Sequence, residues 1–364
     1  MDMELLELIR GVFSFPALGS AAWGFLASFI FSLLIVLTKG WHGALSIDNL
    51  TGVQKFHSIP TPRIGGLAVV IGVVVAWANS PEEIKEIITP ILVAGSPAFI
   101  VGFSEDITKC VGVMPRLLAT MVSGLMAWWI TDYSLNRVDV WGIDVLLQFT
   151  CISVLFTSIA ISGIANSINI IDGFNGLASN MCSIALIGLA LIAWQANDTQ
   201  LSSAAIVLTG CVWGFFWVNW PLGKIFLGDG GAYFIGFGLA WIGVLLVARN
   251  PSVTAFAPLL ICAHPVTEVI FSIYRRQHKR VHPGHPDKLH LHSLIKQRFV
   301  RKKFPTMSNL ARNSITGILM GGCTLITIAI ACFTYKSTWL SILAYILFVM
   351  TYIAIYGRLV RYRW

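Results

Sequence analysis

The chain has 364 residues, of which 56% are hydrophobic and 12% are charged, and its mean hydropathy is +0.76. A soluble domain usually carries about 25% charged residues, so this composition excludes an ordinary soluble protein and indicates a helical membrane protein. The net charge of +8 does not indicate nucleic-acid binding, because the basic residues flank apolar segments, where anionic lipid headgroups are nearer partners.

Eleven apolar segments follow one another along the chain, and most are near the 20 or so residues that span a bilayer core. They lie at 20–38, 64–80, 87–103, 117–131, 143–162, 177–195, 202–220, 231–248, 253–274, 313–333 and 338–357. We therefore predict an all-α integral membrane protein with about 11 transmembrane helices in one polytopic domain, 1–364. The first helix is expected to be uncleaved, because no basic n-region or cleavage site precedes it.

Lys and Arg are unevenly distributed over the gaps between these segments. Five of the 25 lie in the even-numbered gaps and the N-terminal stretch, and the other 20 lie in the odd-numbered gaps and the C-terminal tail. The positive-inside rule then predicts an outside N-terminus and a cytoplasmic C-terminus, which requires an odd number of spans. The cytoplasmic loops are expected at 39–63, 104–116, 163–176, 221–230 and 275–312.

The conspicuous polar sequence also falls in these odd-numbered gaps, which predicts that they form one active site at a membrane face. The first gap ends in PTPRIGG, residues 60–66. Lys55 and Arg63 could hold a phosphate or pyrophosphate, and Gly65 and Gly66 allow close backbone contact at the start of the second helix. The alternative is a basic membrane anchor before a helix.

The third gap carries Glu105, Asp106 and Lys109. Adjacent carboxylates repel each other and usually require a compensating cation, and hard oxygen ligands suit Mg²⁺. A solvated loop is the alternative interpretation of this pair.

The fifth gap, NSINIIDGFNG, places Asn166, Asn169, Asp172 and Asn175 three positions apart. On a helix this spacing gives one polar stripe, with hydrogen bonding between helices as the alternative to a functional role. The seventh gap carries Asn219 and, between glycines, Asp229. That carboxylate could hold a metal, or it could simply cap the following helix.

The ninth segment and the ninth gap contain most of the histidines. Ionisable residues in a membrane helix are functional candidates, but we interpret His264 and Glu268 as structural, either paired with each other or with Glu268 bound to a basic loop residue. In the gap, the donors of Lys288, His290 and His292 suit a nucleotide diphosphate. The spacing disfavours zinc.

Taken together, these motifs resemble the polyprenyl-phosphate N-acetylhexosamine-1-phosphate transferases of glycosyltransferase family 4. PTPRIGG, the acidic pair, N-x-x-D-G-x-x-G-L-A, F-L-G-D-x-G and P-D-K-x-H-x-H occur in the family's order, over roughly residues 48–295. The resemblance implies that a polyprenyl phosphate attacks the β-phosphorus of a UDP-sugar, giving a lipid-linked sugar pyrophosphate and UMP. It also implies a requirement for Mg²⁺, with Mn²⁺ as a substitute.

The resemblance also assigns roles to residues. Asn169 and Asp229 are expected in the metal site, and Asp106, Asp172 and Glu105 are expected to be catalytic. Substrate-binding roles are expected for Lys55, Arg63, Lys109, Asn175, Asn219, Lys288, His290 and His292. The expected substrates are a UDP-N-acetylhexosamine, GlcNAc first, and undecaprenyl phosphate, with no nucleic-acid partner. The expected setting is a bacterial inner membrane, and a homodimer is one candidate assembly.

The chain departs from the family pattern at two positions. Glu105 stands where relatives usually have Asp, and Asn175 stands where they usually have a second Asp. The sequence His-Leu-His-Ser also replaces the triple histidine of the peptidoglycan branch, which favours a UDP-N-acetylhexosamine donor. An inactive relative, or a multipass transporter of lipid-linked sugars, remains the alternative function.

Overall fold

The computed structural model describes residues 15–47, 60–278 and 289–361. In these ranges the regular structure is helical, apart from an isolated antiparallel bridge between Ile47 and Pro62. The main helices are α1 (Phe15–Leu37), α2 (Gly65–Ala78), α3 (Glu82–Thr108), α4 (Val113–Thr131), α5 (Thr150–Ile171), α6 (Leu177–Gln195), α7 (Thr199–Asn219), α8 (Gly228–Arg249), α9 (Ala263–His278), α10 (Asn309–Thr334) and α11 (Thr338–Val360). The prediction of an all-α membrane protein is confirmed.

Shorter helices connect some of these main helices. They are Lys39–Ser46, Trp141–Leu147, Phe256–Ile261 and Leu291–Leu294, followed by the π-helix Ile295–Val300 and the turn Arg301–Lys303.

Each of the eleven predicted segments contains a main helix, but two of them differ from a simple span. Within the described residues, nine helices are long and apolar enough to cross a membrane. Helix α2 has only 14 residues, and the ninth segment is divided near Cys262 into Phe256–Ile261 and α9. Two prolines, Pro258 and Pro265, flank that division; each lacks a backbone N–H.

Two helices extend into the stretches expected to be loops. Helix α3 continues to Thr108, so Glu105 and Asp106 lie in its last turn. Helix α5 begins at Thr150, later than the predicted residue 143, and continues to Ile171. Asn166 and Asn169 therefore lie on a helix, and only the end of the fifth motif forms the turn.

Helix α8 lies at the centre of the bundle and is almost completely buried among α2, α3, α5 and α6. Its first turn meets glycines of two neighbours. A Cβ added to Gly102 of α3 would lie 2.7 Å from the Cα of Gly230, and one added to Gly66 of α2 would collide with Gly231. Small residues allow helix backbones to approach closely, and here they bring the polar ends of α2, α3 and α8 together.

Candidate active site

Four chain segments converge where α8 begins: the turn before α2, the end of α3, the start of α4 and α8 itself. They bring together Arg63, Asp106, Arg116 and Asp229. The two carboxylates are almost fully buried, at 1% and 3% exposure for Asp106 and Asp229. We call these four residues the acidic cluster, after the two buried carboxylates at its centre.

Asp106 binds the backbone of the α8 N-terminus. One carboxylate oxygen accepts from the Asp229 N–H at 2.8 Å and the other from the Gly230 N–H at 2.9 Å. Arg63 Nε lies 3.3 Å from the first of these oxygens. Because the free N–H groups of a helix start attract negative charge, Asp106 fixes the orientation of the turn that carries Asp229.

Asp229 is bound by two guanidinium groups, one on each carboxylate oxygen. Arg63 donates to Oδ1 and Arg116 donates to Oδ2. Arg116 is missing from the sequence-predicted site, although it is a basic residue in the same gap as the acidic pair. A guanidinium group has several donors, so both arginines could also donate to the phosphates of a polyanionic ligand while they bind Asp229.

Asp172 and Asn169 lie beside the acidic cluster, at the end of α5. Partial burial raises the pKa of the Asp172 carboxyl to about 7, an effect opposed by Arg63 and reinforced by Asp229. The Asn169 side-chain oxygen accepts from the Tyr233 hydroxyl at 3.3 Å, one turn after Asp229. The predicted acidic and amide oxygens therefore share one neighbourhood.

Asn175 and Asn219 use their amide groups within the protein. Asn219 accepts from the Gly176 N–H at 2.5 Å and donates to the Ile225 carbonyl at 2.6 Å. Asn175 donates to the Ser314 hydroxyl at 3.2 Å and is 2% exposed. Both side chains thus fasten the loops around the acidic cluster, and their predicted contact with substrate stays a prediction.

Apart from the histidines, the four remaining predicted residues lie at the margin of the cluster or outside the described residues. Glu105 accepts from the Val111 N–H at 2.7 Å, and Lys109 donates to the Asp106 carbonyl, so both close the turn after α3. Lys55 and Lys288 lie outside the described residues.

A second polar group forms around the predicted histidines. His290 Nδ1 lies 2.9 Å from Glu268 Oε1, and its ring stacks on that of His292 with centroids 5.4 Å apart. Glu268 is therefore bound to a basic loop residue, one of the two structural interpretations of this carboxylate. Burial lowers the pKa of His292 to about 3. Glu268 opposes this shift and the neighbouring histidines add to it, so the His292 ring is neutral at neutral pH.

His292 connects this group to the acidic cluster. Its ring packs edge-on against Phe174 with centroids 5.1 Å apart, and a Cβ on Gly173 would lie 3.5 Å from its Nε2. Gly173 directly follows Asp172. The structure therefore brings the histidine motif beside the turn that carries Asp172, although more than a hundred residues separate them in sequence.

The oxygen donors beside Asp229 suit a magnesium ion. Mg²⁺ commonly takes one or two carboxylates together with substrate phosphates and water, and Asp229, Asp172 and Asn169 supply hard oxygen donors of this kind. Across the described ranges, no three His, Cys, Asp or Glu side chains are grouped closely enough to hold a metal by themselves. The donor set therefore fits a metal that substrate phosphates help to bind.

A separate cavity of about 290 Å³ lies toward the opposite end of the bundle. Its lining includes Leu135, Val140, Phe156, Leu239 and Phe256, and it contains no charged side chain. A diphosphate would lose its hydration there without gaining a partner, so this cavity is not the polar site.

A sequence model described as glycosyl transferase family 4 matches residues 88–247, which include Asp106, Asp172 and Asp229. Over those residues the chain is similar to this family. It is 28% identical over 242 residues to the probable undecaprenyl-phosphate N-acetylglucosaminyl 1-phosphate transferase of Bacillus subtilis, covering 66% of each protein.

Two other relatives have related names. The undecaprenyl-phosphate alpha-N-acetylglucosaminyl 1-phosphate transferase of Salmonella typhi is 24% identical over 301 residues, 80% of each protein. The decaprenyl-phosphate N-acetylglucosaminephosphotransferase of Mycobacterium tuberculosis is 27% identical over 278 residues, 67% of each protein. The family match ends before His290 and His292, which the fold nevertheless places beside the matched region.

Proposed function

We propose that this protein transfers N-acetylglucosamine 1-phosphate from UDP-N-acetylglucosamine to undecaprenyl phosphate, releasing UMP. The relatives' names support the sugar phosphate and the prenyl phosphate acceptor. The observation that carries the proposal is the acidic cluster, in which Arg63 and Arg116 face Asp229 at one end of an apolar bundle. A multi-pass protein in a bacterial inner membrane would make the lipid intermediate of a cell-envelope polysaccharide there.

The reaction exchanges one phosphoric anhydride for another. An oxygen of the prenyl phosphate forms a bond to the β-phosphorus of the UDP-sugar, the bond from that phosphorus to the bridging oxygen breaks, and UMP leaves with the electron pair. The nucleophile has a second pKa near 6, so at neutral pH it is largely ionised. A general base would therefore contribute little, and the larger barrier is repulsion between two anions.

The residues of the acidic cluster can lower that repulsion. Arg63 and Arg116 would transfer hydrogen bonds from Asp229 to the donor's diphosphate, and Asp229 and Asn169 would hold Mg²⁺. The bound metal supplies charge neutralisation and alignment of the phosphoryl group. Asp106 contributes by holding the α8 N-terminus, a positioning role that needs no proton transfer.

A transporter of lipid-linked sugars is the alternative. Transporters usually bind their substrates near the middle of the bilayer, where helices are interrupted. Here Asp106 lies in the last turn of α3 and Asp229 in the first turn of α8, so the charged residues lie at helix ends. This arrangement favours chemistry at a membrane surface.

The test is transfer by the purified protein in detergent. Radiolabelled UDP-N-acetylglucosamine, undecaprenyl phosphate and Mg²⁺ should give a labelled lipid product, EDTA should stop its formation, and Mn²⁺ should partly restore it. Unlabelled UMP should drive the label back into UDP-N-acetylglucosamine, because the two anhydrides are similar in energy. No labelled lipid with this donor or with other UDP-N-acetylhexosamines would contradict the transferase proposal and favour an inactive relative.

A further inference from the structure

Glu268 is a fully buried carboxylate that is bound from three directions. It is 0% exposed. Its Oε1 lies 2.9 Å from His290 Nδ1, and its Oε2 accepts from the Leu291 N–H at 3.1 Å and from the Tyr352 hydroxyl at 2.9 Å. A buried carboxylate is costly unless it is fully hydrogen-bonded, so these donors stabilise its charge. They also fasten the histidine segment to α9 and α11.

A second contact fixes the same segment one residue earlier. Arg275, on α9, donates to the Leu289 carbonyl at 2.5 Å and to the Tyr356 hydroxyl at 2.6 Å. Tyr352 and Tyr356 lie one turn apart on α11, with centroids 6.4 Å apart and nearly parallel rings. Residues 289–291 are therefore held at successive positions by α9 and α11.

The carboxylate also determines which nitrogen of His290 faces away from this contact. A carboxylate only accepts hydrogen bonds, so His290 must donate through Nδ1. The ring then directs Nε2 away from Glu268. Fixing one imidazole nitrogen with a carboxylate so that the other faces a ligand is a common way of orienting histidine.

We propose that Glu268 and Tyr352 are positioning residues that hold His290 toward the nucleoside diphosphate donor. This inference deepens the proposed transfer reaction and rests on it. It gives α11, which lies outside the family match at 88–247, a part in donor binding. The contact path from Tyr352 passes through Glu268, His290 and His292 to the turn of Asp172.

The variants to compare are Glu268→Gln and Tyr352→Phe. The matched control is Tyr335→Phe, because Tyr335 is also buried, at 7% exposure, and its hydroxyl donates to the Gln195 carbonyl at 3.4 Å. Tyr335 follows α10 at the opposite end of the bundle, so its hydroxyl lies outside the chain of contacts that leads from Tyr352 to the proposed UDP-sugar site.

Glu268→Gln should raise the KM for the UDP-sugar by roughly tenfold or more, the value of one charge-assisted hydrogen bond. Tyr352→Phe should raise it by a few-fold, since it removes one of the donors to Oε2. The KM for undecaprenyl phosphate should be unchanged in both variants. An active wild type with unchanged UDP-sugar KM in Glu268→Gln, or with Tyr352→Phe indistinguishable from Tyr335→Phe, would overturn the positioning role.

Hydrogen exchange in detergent gives a measurement that does not depend on turnover. The peptide covering residues 289–294 should exchange faster in Glu268→Gln and Tyr352→Phe than in wild type, while UMP should slow its exchange most in wild type. Equal exchange in all variants overturns the positioning role, whether or not the protein is active. A wild type without transferase activity overturns the proposed reaction instead, and with it the inference.

Discussion

The two ends of the bundle both carry buried ion pairs, but they use them differently. At the end away from the acidic cluster, Asp198 accepts from both Nε and Nη2 of Arg249, at 2.8 and 3.0 Å, and also from the Leu201 N–H at the start of α7. Arg137 donates there to the carbonyls of Val247, Asn250 and Val253. Those charges terminate helices and close loops.

At the site end, one carboxylate is shared by two guanidinium groups. Arg63 and Arg116 come from different segments, and two glycine pairs bring α2 and α3 against the start of α8. At the opposite end, the Asp198 carboxylate binds a single guanidinium group, that of Arg249, and a backbone N–H at the start of α7. The same residue types therefore close loops where one guanidinium binds one carboxylate, and form the candidate site where guanidinium groups from two segments meet on one carboxylate.

The largest expected difference comes from neutralising one carboxylate at each end. Asp229→Asn should lower the rate of transfer by at least about a hundredfold, because it removes the charged donor that we propose for Mg²⁺ and leaves both arginines without their shared carboxylate. Asp198→Asn is the matched control and should keep the wild-type rate per folded molecule. If Asp229→Asn retains about half of the activity, or if both variants lose it equally, the two ends do not differ as described.

The next effect concerns the cap of α8. In Asp106→Asn, one amide nitrogen must face a backbone N–H, so we expect the free energy of unfolding to fall by about 1–3 kcal/mol. Displacement of the Asp229 turn should lower kcat by about tenfold to a hundredfold. Denaturation in detergent and steady-state kinetics measure the two effects. Near-wild-type activity would show that the charge of Asp106 has no role.

A smaller effect is a dependence on pH. The pKa of Asp172 is about 7 in the fold and near its ordinary value of 3.8 when unfolded. The folded state therefore binds more protons between these values, and metal-free protein should lose stability as pH rises through that window. Asp172→Asn should remove part of this loss. Melting curves of both proteins across the window, without divalent metal, check it; parallel curves would contradict the assignment to Asp172.

The smallest effect on activity is expected at the opposite end. Arg137→Lys keeps the charge but replaces the planar guanidinium, which donates to three carbonyls, with a single ammonium group. The melting temperature should therefore fall, while KM and kcat stay near wild type. A change in either kinetic constant, at equal folded fraction, would show that this end contributes to donor or acceptor binding.

The sequence predicted the helices and the meeting of the polar gaps well, because hydrophobic periodicity and alternating topology determine both. It predicted neither the short α2 nor the divided ninth segment, since apolar composition does not show where backbone hydrogen bonding stops. Arg116 was missed because its partner, Asp229, is 113 positions away. The sequence also did not show that Asn175 and Asn219 bind the protein's own backbone and hydroxyl groups, because an amide in a loop does not reveal its partner.

The glycine contacts at the start of α8 have a consequence for how this protein can vary. The distance between Asp106 and Asp229 is set by backbones in direct contact at Gly66, Gly102, Gly230 and Gly231, with no intervening side chains to adjust. Repacking the lipid-facing surfaces would leave that distance intact, whereas a single methyl group at any of the four would have to be accommodated by moving a helix. The lipid-facing residues of such a protein can change widely and suit different membranes. The four glycines can hardly change at all, although none of them has a side chain that could take part in the reaction.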